Sequence, residues 1–139
     1  MNHMIALLLL ISFCFGLSEA CKDNRLIFRN ELVNGRTLKV TCVSSKNRRV
    51  VKDVKHHEVL RISFAEGATV RRFAWDCNLE QWSGSKMITY SFFGAYTAHF
   101  IPECDKLIVY SARPDAIYVK TKRSPLWLPE HAFHWGQKY

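Results

Sequence analysis

The sequence predicts an all-β protein, a small antiparallel β-sandwich of about seven or eight strands that is stabilised by disulfides. Three observations lead to this fold class. Apolar and polar residues alternate over short runs between Leu26 and Lys120, turn-forming residues separate the runs, and the chain after residue 20 contains an even number of cysteines. Alternation places every second side chain on one face of a strand, which is the pattern of a half-buried sheet.

The first twenty residues are expected to be removed as a secretory signal peptide. The segment from Met4 to Leu17 is almost wholly apolar, and Ser18 and Ala20 are small residues at the positions that a signal peptidase reads. An apolar run of about 14 residues is shorter than the roughly 20 needed to span a bilayer, which argues against a membrane anchor. We therefore predict a secreted, extracellular protein with a domain at residues 21–120 and a C-terminal tail at residues 121–139.

Removal of the leader also sets the cysteine count. It eliminates Cys14 and leaves Cys21, Cys42, Cys77 and Cys104. An even count in a small secreted chain is typical of a disulfide framework, so we expect two intramolecular bridges. Four cysteines allow three pairings, and the sequence does not choose among them. No C-x-x-C pair occurs, so a zinc site is not expected. We also expect no cofactor.

The first two strands are predicted to form a hairpin within Leu26–Ser45. Asn34-Gly35 favours a tight turn, because Gly and Asn adopt positive φ at little cost. After the turn, every second residue is apolar, ending in a cysteine.

The following strands are predicted from the same alternation, with turns at Glu66-Gly67, Ser83–Ser85 and Ser111–Asp115. Two more strands are predicted at Leu107–Tyr110 and Ala116–Lys120. The residues expected to share the inward faces and form the core are Leu38, Val40, Leu60, Ile62, Phe73, Trp75, Tyr90 and Phe92.

The C-terminal tail changes character after a basic run at Lys120–Arg123. Pro125 and Pro129 flank Trp127, which argues against a central strand, because proline cannot donate a hydrogen bond to a neighbouring strand. The tail is expected to be either an extended arm packed on the sandwich or a partly ordered extension. Its aromatic residues favour docking.

Charge suggests what the protein contacts. All 20 Lys and Arg residues follow the leader, and loss of Glu19 raises the formal net charge from +8 to +9. Such a chain suits pectin-like polyanions, anionic membranes, nucleic acid or an acidic receptor surface, although a solvated basic surface explains the charge equally well. The segment from Lys46 to His57 is the most basic, and it is predicted to be a loop on a rigid sandwich, where binding sites are common. Its candidate binding residues are Lys46, Arg48, Arg49, Lys52 and Lys55.

Catalytic motifs are not evident. No two of the six histidines are placed to flank a phosphate, and His131 and His134 lack an evident third metal ligand. We therefore predict that the protein is not an enzyme, assign no catalytic or metal-binding residue, and expect no nucleic-acid partner.

Three ordered segments resemble the plant self-incompatibility protein family, the S-protein homologues. The first carries the family's I-x-N-x-L and L-x-V-x-C-x-S patterns as Phe28, Asn30, Leu32, Leu38, Val40, Cys42 and Ser44. Phe73–Trp82 is similar to the second cysteine segment of the family, and Cys104–Tyr110 with Asp115–Tyr118 is similar to the third. The resemblance covers the chain from Leu26 to Lys120.

The third segment departs from the family pattern at three positions. Leu107 stands where the family has its fourth cysteine, Val109 where it has tryptophan, and Ala116 where it has glycine. Cys21 restores the even number of cysteines, but it lies at a different position in the chain from the missing family cysteine. The resemblance therefore does not define which cysteines pair.

The resemblance implies a secreted plant signalling ligand that binds a plasma-membrane receptor and performs no chemistry itself. In some members such a ligand is the female determinant of pollen rejection, so pollen–pistil recognition is one implied role. The alternative is a secreted cationic defence protein acting on anionic membranes, although no contiguous apolar stripe beyond the predicted core supports stable membrane insertion. The sequence does not give the oligomeric state.

Overall fold

The computed structural model describes His3 and residues 24–33, 35–64, 74–97, 105–123 and 125–136. Apart from His3, the predicted signal peptide lies outside the described residues. Cys21, Phe73 and Cys104 lie outside them as well.

Ten strands in the described part of the chain form two sheets. The six-stranded sheet contains β1 (Asn24–Asn30), β4 (Val59–Phe64), β7 (Lys106–Ala112), β8 (Ala116–Arg123), β9 (Leu126–Trp127) and β10 (His131–His134). Its order is β10-β8-β7-β1-β4, and β9 pairs with β8. The four-stranded sheet contains β2 (Leu38–Ser44), β3 (Arg49–Val54), β5 (Ala74–Ser83) and β6 (Lys86–Thr97), in the order β3-β2-β5-β6.

Among these described strands, every pair is antiparallel except β1 and β7, which are parallel. The inward faces of the two sheets share one apolar core. Aromatic contacts join them, with ring centroids 4.5 Å apart for Phe64 and Tyr96 and 4.9 Å apart for Phe92 and Tyr110. The predicted all-β sandwich is confirmed.

The predicted core residues occupy this interior wherever the structure describes them. Those that are buried are Leu38, Val40, Leu60, Ile62, Trp75 and Tyr90, and Phe92 is half-buried against the same cluster. Strict alternation therefore identified the inward face of four strands correctly.

The predicted hairpin between the first two strands is wrong. β1 pairs with β4 and β7, whereas β2 pairs with β3 and β5, so the connection passes from one sheet to the other. Gly35 has the expected positive φ of 85°, but Asn34 lies outside the described residues. The Asn30 side chain holds this crossing, as it accepts a hydrogen bond from the Leu32 N–H and donates to the carbonyls of Arg36 and Val54. Buried Leu32 then anchors the crossing in the core.

A disulfide joins β2 to β5 between Cys42 and Cys77, which lie opposite each other in the register. Both cysteines are buried in the core. The bridging of Cys21 and Cys104 stays a prediction.

The C-terminal segment belongs to the six-stranded sheet. β8 continues to Arg123, so the domain boundary predicted after Lys120 falls inside a strand. β10 pairs with β8 and brings Phe133 to 5.8 Å from Tyr90 and 5.3 Å from Phe92, measured between ring centroids. The sequence predicts that the tail is either an arm packed on the sandwich or a partly ordered extension, and its described part is the packed arm. β9 is a two-residue strand that pairs with β8 alone, as expected between two prolines.

Candidate functional site

The predicted basic loop is mainly a strand. β3 occupies Arg49–Val54, and tight turns precede and follow it. The loop prediction failed because Val50, Val51 and Val54 lie among the charged residues and support a strand, in which Val50 packs against the core and Val54 is buried.

The strand separates the five candidate residues. Arg49 pairs with Val43 on the outward face, whereas Lys52 pairs with buried Val40 and faces the other way. Lys46 and Lys55 lie in the turns at opposite ends of β3. A single continuous patch is therefore not formed by these residues.

Arg48 is engaged within the domain. Its guanidinium donates a hydrogen bond of 3.0 Å to the Ser63 carbonyl, which connects the β2–β3 turn to β4 in the other sheet. The same group lies 5.6 Å from the ring centroid of buried Trp75. These contacts indicate that Arg48 links the two sheets.

A second group of cations lies on the outward face of the six-stranded sheet. Leu26, Phe28, Ile62, Ile108 and Tyr110 point into the core, so the residues that alternate with them point outward. The outward cations define what we call the basic face: Arg25, Arg29, Arg61, Lys120 and Lys122.

The strand register groups three of these cations closely. Arg61 on β4 pairs with Ile27 on β1, which places Arg61 diagonally between Arg25 and Arg29. Diagonal neighbours on one face of an antiparallel pair are about 7–8 Å apart. We call these three residues the arginine cluster.

An apolar strip lies beneath the basic face. Ile27 and Val109 pair with each other on the outward side, yet they are only 8% and 7% exposed. Their outer neighbours in the register are Arg61 and Lys120, whose long aliphatic stems can cover apolar surface while the charged groups stay in water.

The two sheets differ in charge. The strands of the six-stranded sheet contain seven Lys and Arg residues and no Asp or Glu. The strands of the four-stranded sheet contain four Lys and Arg residues and three acidic ones, Asp53, Asp76 and Glu80. Within the described residues, no ion pair involves a member of the basic face.

Two carboxylates next to the ends of β1 and β8 have partners outside the basic face. Glu31 accepts a hydrogen bond from Arg113 at 2.8 Å, which raises the pKa of the Arg113 guanidinium. Asp115 accepts a hydrogen bond of 2.5 Å from the Tyr118 hydroxyl. This bond lowers the pKa of Asp115 and raises the pKa of Tyr118. Both carboxylates lie outside the strands, so they do not interrupt the basic face.

β9 adds an exposed aromatic ring at the edge of the basic face. Trp127 pairs with Lys122, and its ring centroid lies 4.9 Å from the Lys120 Nζ and 5.6 Å from the Lys122 Nζ. Its two neighbours in sequence, Leu126 and Leu128, are exposed as well.

Sequence reasoning missed the arginine cluster because its members are far apart in the chain. Arg25 and Arg61 become neighbours only when β1 pairs with β4. One local signal was available, since Arg25 and Arg29 occupy alternate outward positions around the apolar run at Leu26–Phe28.

The described residues show no metal-binding cluster, as they contain no group of three His, Cys, Asp or Glu side chains that could hold an ion. His131 and His134 both lie on β10, three residues apart, so they project from opposite faces of the strand. No helix within the described ranges is long and apolar enough to cross a membrane.

Comparison with known proteins identifies the family. The profile described as "Plant self-incompatibility protein S1" matches residues 25–135. S-protein homolog 14 of Arabidopsis thaliana is 30% identical over 130 residues, covering 90% of this chain and 91% of the relative. S-protein homolog 25 of the same plant is 29% identical, covering 88% and 90%.

A solved structure agrees in fold. It is described as a self-incompatibility protein homologue, from "a widespread family of small, highly stable, secreted proteins from plants". Its TM-score is 0.59 at 26% identity, and the similarity covers 83% of this chain and 98% of the solved one. The predicted secreted, extracellular location is thereby confirmed. The chain belongs to the plant self-incompatibility protein S1 family, the S-protein homologues.

Proposed function

We propose that this protein is an extracellular signalling ligand that binds a plasma-membrane receptor through the arginine cluster and performs no catalysis. The specific setting that we propose from the family description is recognition between pollen and pistil. The receptor surface that fits this site is acidic.

The uneven charge of the two sheets carries this proposal. The strands that form the basic face contain no Asp or Glu. The cations of this face can therefore pair with acidic groups of a binding partner. Clustered charges of one sign steer a partner of opposite charge during encounter and suppress binding of the wrong partners.

The chemistry of the arginine cluster supports a binding role. Guanidinium groups donate several hydrogen bonds in a fixed geometry that matches carboxylates, and they remain protonated at physiological pH. They offer no acceptor that could serve as a general base. The arrangement is therefore suited to recognising an acidic surface.

Two variants of equal charge test the site. The first changes Arg25, Arg29 and Arg61 to Gln, and the second changes Arg49, Lys52 and Lys55 to Gln on and beside β3. We expect the first variant to associate with receptor-bearing plant cells about ten-fold more slowly, since surface charges mainly affect the association rate. The second variant should associate at nearly the wild-type rate.

Receptor binding should be saturable and should weaken as salt is raised, and this saturable binding should disappear when the cells are treated with protease. Loss of binding only in the β3 variant would instead favour the site that the sequence predicted. Binding that survives protease, together with leakage of dye from anionic vesicles, would favour the defence-protein alternative.

A further inference from the structure

We propose that this protein docks reversibly on anionic lipid bilayers by inserting an apolar edge formed by Leu126, Trp127 and Leu128, with Lys120 and Lys122 contacting the lipid headgroups. The docking site is distinct from the arginine cluster and does not require a receptor protein.

The apolar edge is exposed along its whole length. Leu126, Trp127 and Leu128 are 68%, 46% and 37% exposed, and they are consecutive in the chain. Single exposed apolar residues are common on protein surfaces, whereas three together at one sheet edge favour an interaction site. Pro125 and Pro129 flank the group and restrict its backbone, so the three side chains are held out at little cost in entropy.

The position of β9 allows these side chains to enter a bilayer interface. β9 is paired on one side by β8, and alternation directs Trp127 to the basic face and its two leucine neighbours to the opposite side. The edge therefore presents apolar groups on both sides of a narrow strand. β9 has only two residues. When its side chains enter the headgroup region, the backbone N–H and C=O groups on the side away from β8 can therefore still form hydrogen bonds with water.

The two lysines beside the apolar edge favour an anionic membrane as its binding partner. Lys120 and Lys122 are held beside the Trp127 ring, so both ammonium groups stand at the border of the apolar edge. Trp is enriched at membrane interfaces, and each Lys near an anionic surface contributes favourably to adsorption. A carboxylated polysaccharide would also use the lysines and stack on the indole, but it would not use the two leucines.

The proposed orientation leaves the arginine cluster accessible. β9 is separated from β1 and β4 by three and four strand spacings, which is about 14–19 Å, and the lysines on β8 are separated from them by two and three, which is about 9–15 Å. These distances exceed the Debye length of about 8 Å at physiological ionic strength, so the two sites can be tested separately. A protein docked on its edge would present the arginine cluster sideways, toward the extracellular part of a receptor.

The test uses the secreted protein and vesicles of phosphatidylcholine with or without phosphatidylserine, at physiological salt. We expect co-sedimentation with the anionic vesicles, quenching of tryptophan fluorescence by brominated lipid, and no leakage of trapped dye. Changing both Lys120 and Lys122 to Gln should weaken binding about 30-fold. Changing Leu126 and Leu128 to Ser should weaken it about ten-fold or more.

Three further variants locate the site. Trp127→Phe should keep most of the binding while removing most of the lipid quenching. The pair Trp82→Ser and Met87→Ser removes exposed apolar groups from the β5–β6 hairpin and should bind as the wild type does. The arginine-cluster variant should retain docking, which separates a failure of this proposal from a failure of receptor binding.

Several outcomes would overturn the proposal. One is an absence of wild-type binding to anionic vesicles, and another is unchanged binding after the leucine substitutions, which would indicate simple charge adsorption. A third is binding to polygalacturonate that needs Trp127 but not the leucines, which would identify the edge as a sugar site. Equal loss in the Trp82 and Met87 variant would place the membrane contact elsewhere.

Discussion

Tyr110 shows how a single side chain supports both packing and polarity in this core. Its ring centroid lies 4.9 Å from Phe28 in its own sheet and 4.9 Å from Phe92 in the other. Its hydroxyl donates a hydrogen bond to the Ala95 carbonyl. Burial raises the pKa of Tyr110 above its usual value, because the phenolate would be poorly solvated there.

This raised pKa predicts a loss of stability at alkaline pH. Below about pH 10 the phenol is protonated in both states and contributes no pH dependence. Above that pH the unfolded state releases the proton while the folded state retains it, so stability falls by about 1.4 kcal/mol per pH unit until the folded pKa is reached. Tyr110→Phe removes this slope and costs about 1 kcal/mol through the lost hydrogen bond.

Urea unfolding of wild type and Tyr110→Phe at pH 9 and pH 11 provides the measurement. The stability difference between the two proteins should change in favour of the variant by about 1.4 kcal/mol between those pH values. A constant difference would mean that the phenol titrates alike in the folded and unfolded states.

At the scale of elements, alternation predicted most of the strands and which of their faces are buried, because these properties depend on neighbours in sequence. Pairing was harder to predict. Asn34-Gly35 favours a hairpin turn, yet the strands on either side enter different sheets. Turn propensity constrains the backbone at one point, whereas the partner of each strand is decided by which sheet buries its apolar face.

The candidate site was predicted less well for the same reason. The segment that is densest in charge, at residues 46–57, forms a strand and its turns, and its cations are dispersed over both faces. The basic face assembles from β1, β4 and β8, which are distant in sequence. Its existence depends on the parallel pairing of β1 with β7, which local patterns do not specify.

Asn30 is expected to be essential for the crossing between the sheets. It is fully buried and makes three hydrogen bonds to backbone groups of the β1–β2 connection and β3. Asn30→Ala should lower the free energy of unfolding by about 3 kcal/mol, because two carbonyls and one N–H lose their partner. Thermal or urea unfolding measures this loss.

Asn30→Asp is the matched comparison. The introduced carboxyl keeps the acceptor for Leu32 but faces two carbonyl oxygens, so its pKa should rise on folding. The variant should therefore be less stable at pH 7 than at pH 4, where the carboxyl can donate a hydrogen bond. If the variant were as stable as the wild type at pH 7, the Asn30 side-chain nitrogen would not be the atom that faces the carbonyls of Arg36 and Val54.

At the scale of the whole molecule, the two outward faces make different electrostatic contributions to stability. On the basic face, Arg61 has cationic diagonal neighbours and no acidic partner among the described residues. On the other sheet, Lys39 lies in the register between Asp53 and Glu80. One face is therefore self-repelling, whereas the other is balanced.

Equivalent substitutions on the two faces should consequently have opposite effects. Two unit charges about 8 Å apart in water interact by about 0.5 kcal/mol, so Arg61→Gln should stabilise the fold by a few tenths of a kcal/mol or more at low salt. Lys39→Gln should destabilise it by a similar amount, because it removes attractive cross-strand pairs. Both effects should shrink as the Debye length falls from about 30 Å at 0.01 M to about 3 Å at 1 M salt.

Thermal unfolding over that salt range tests the sign of each effect. If Arg61→Gln were destabilising at low salt, the guanidinium would have attractive contacts in the free protein, and the basic face would be less available to an acidic receptor than we propose.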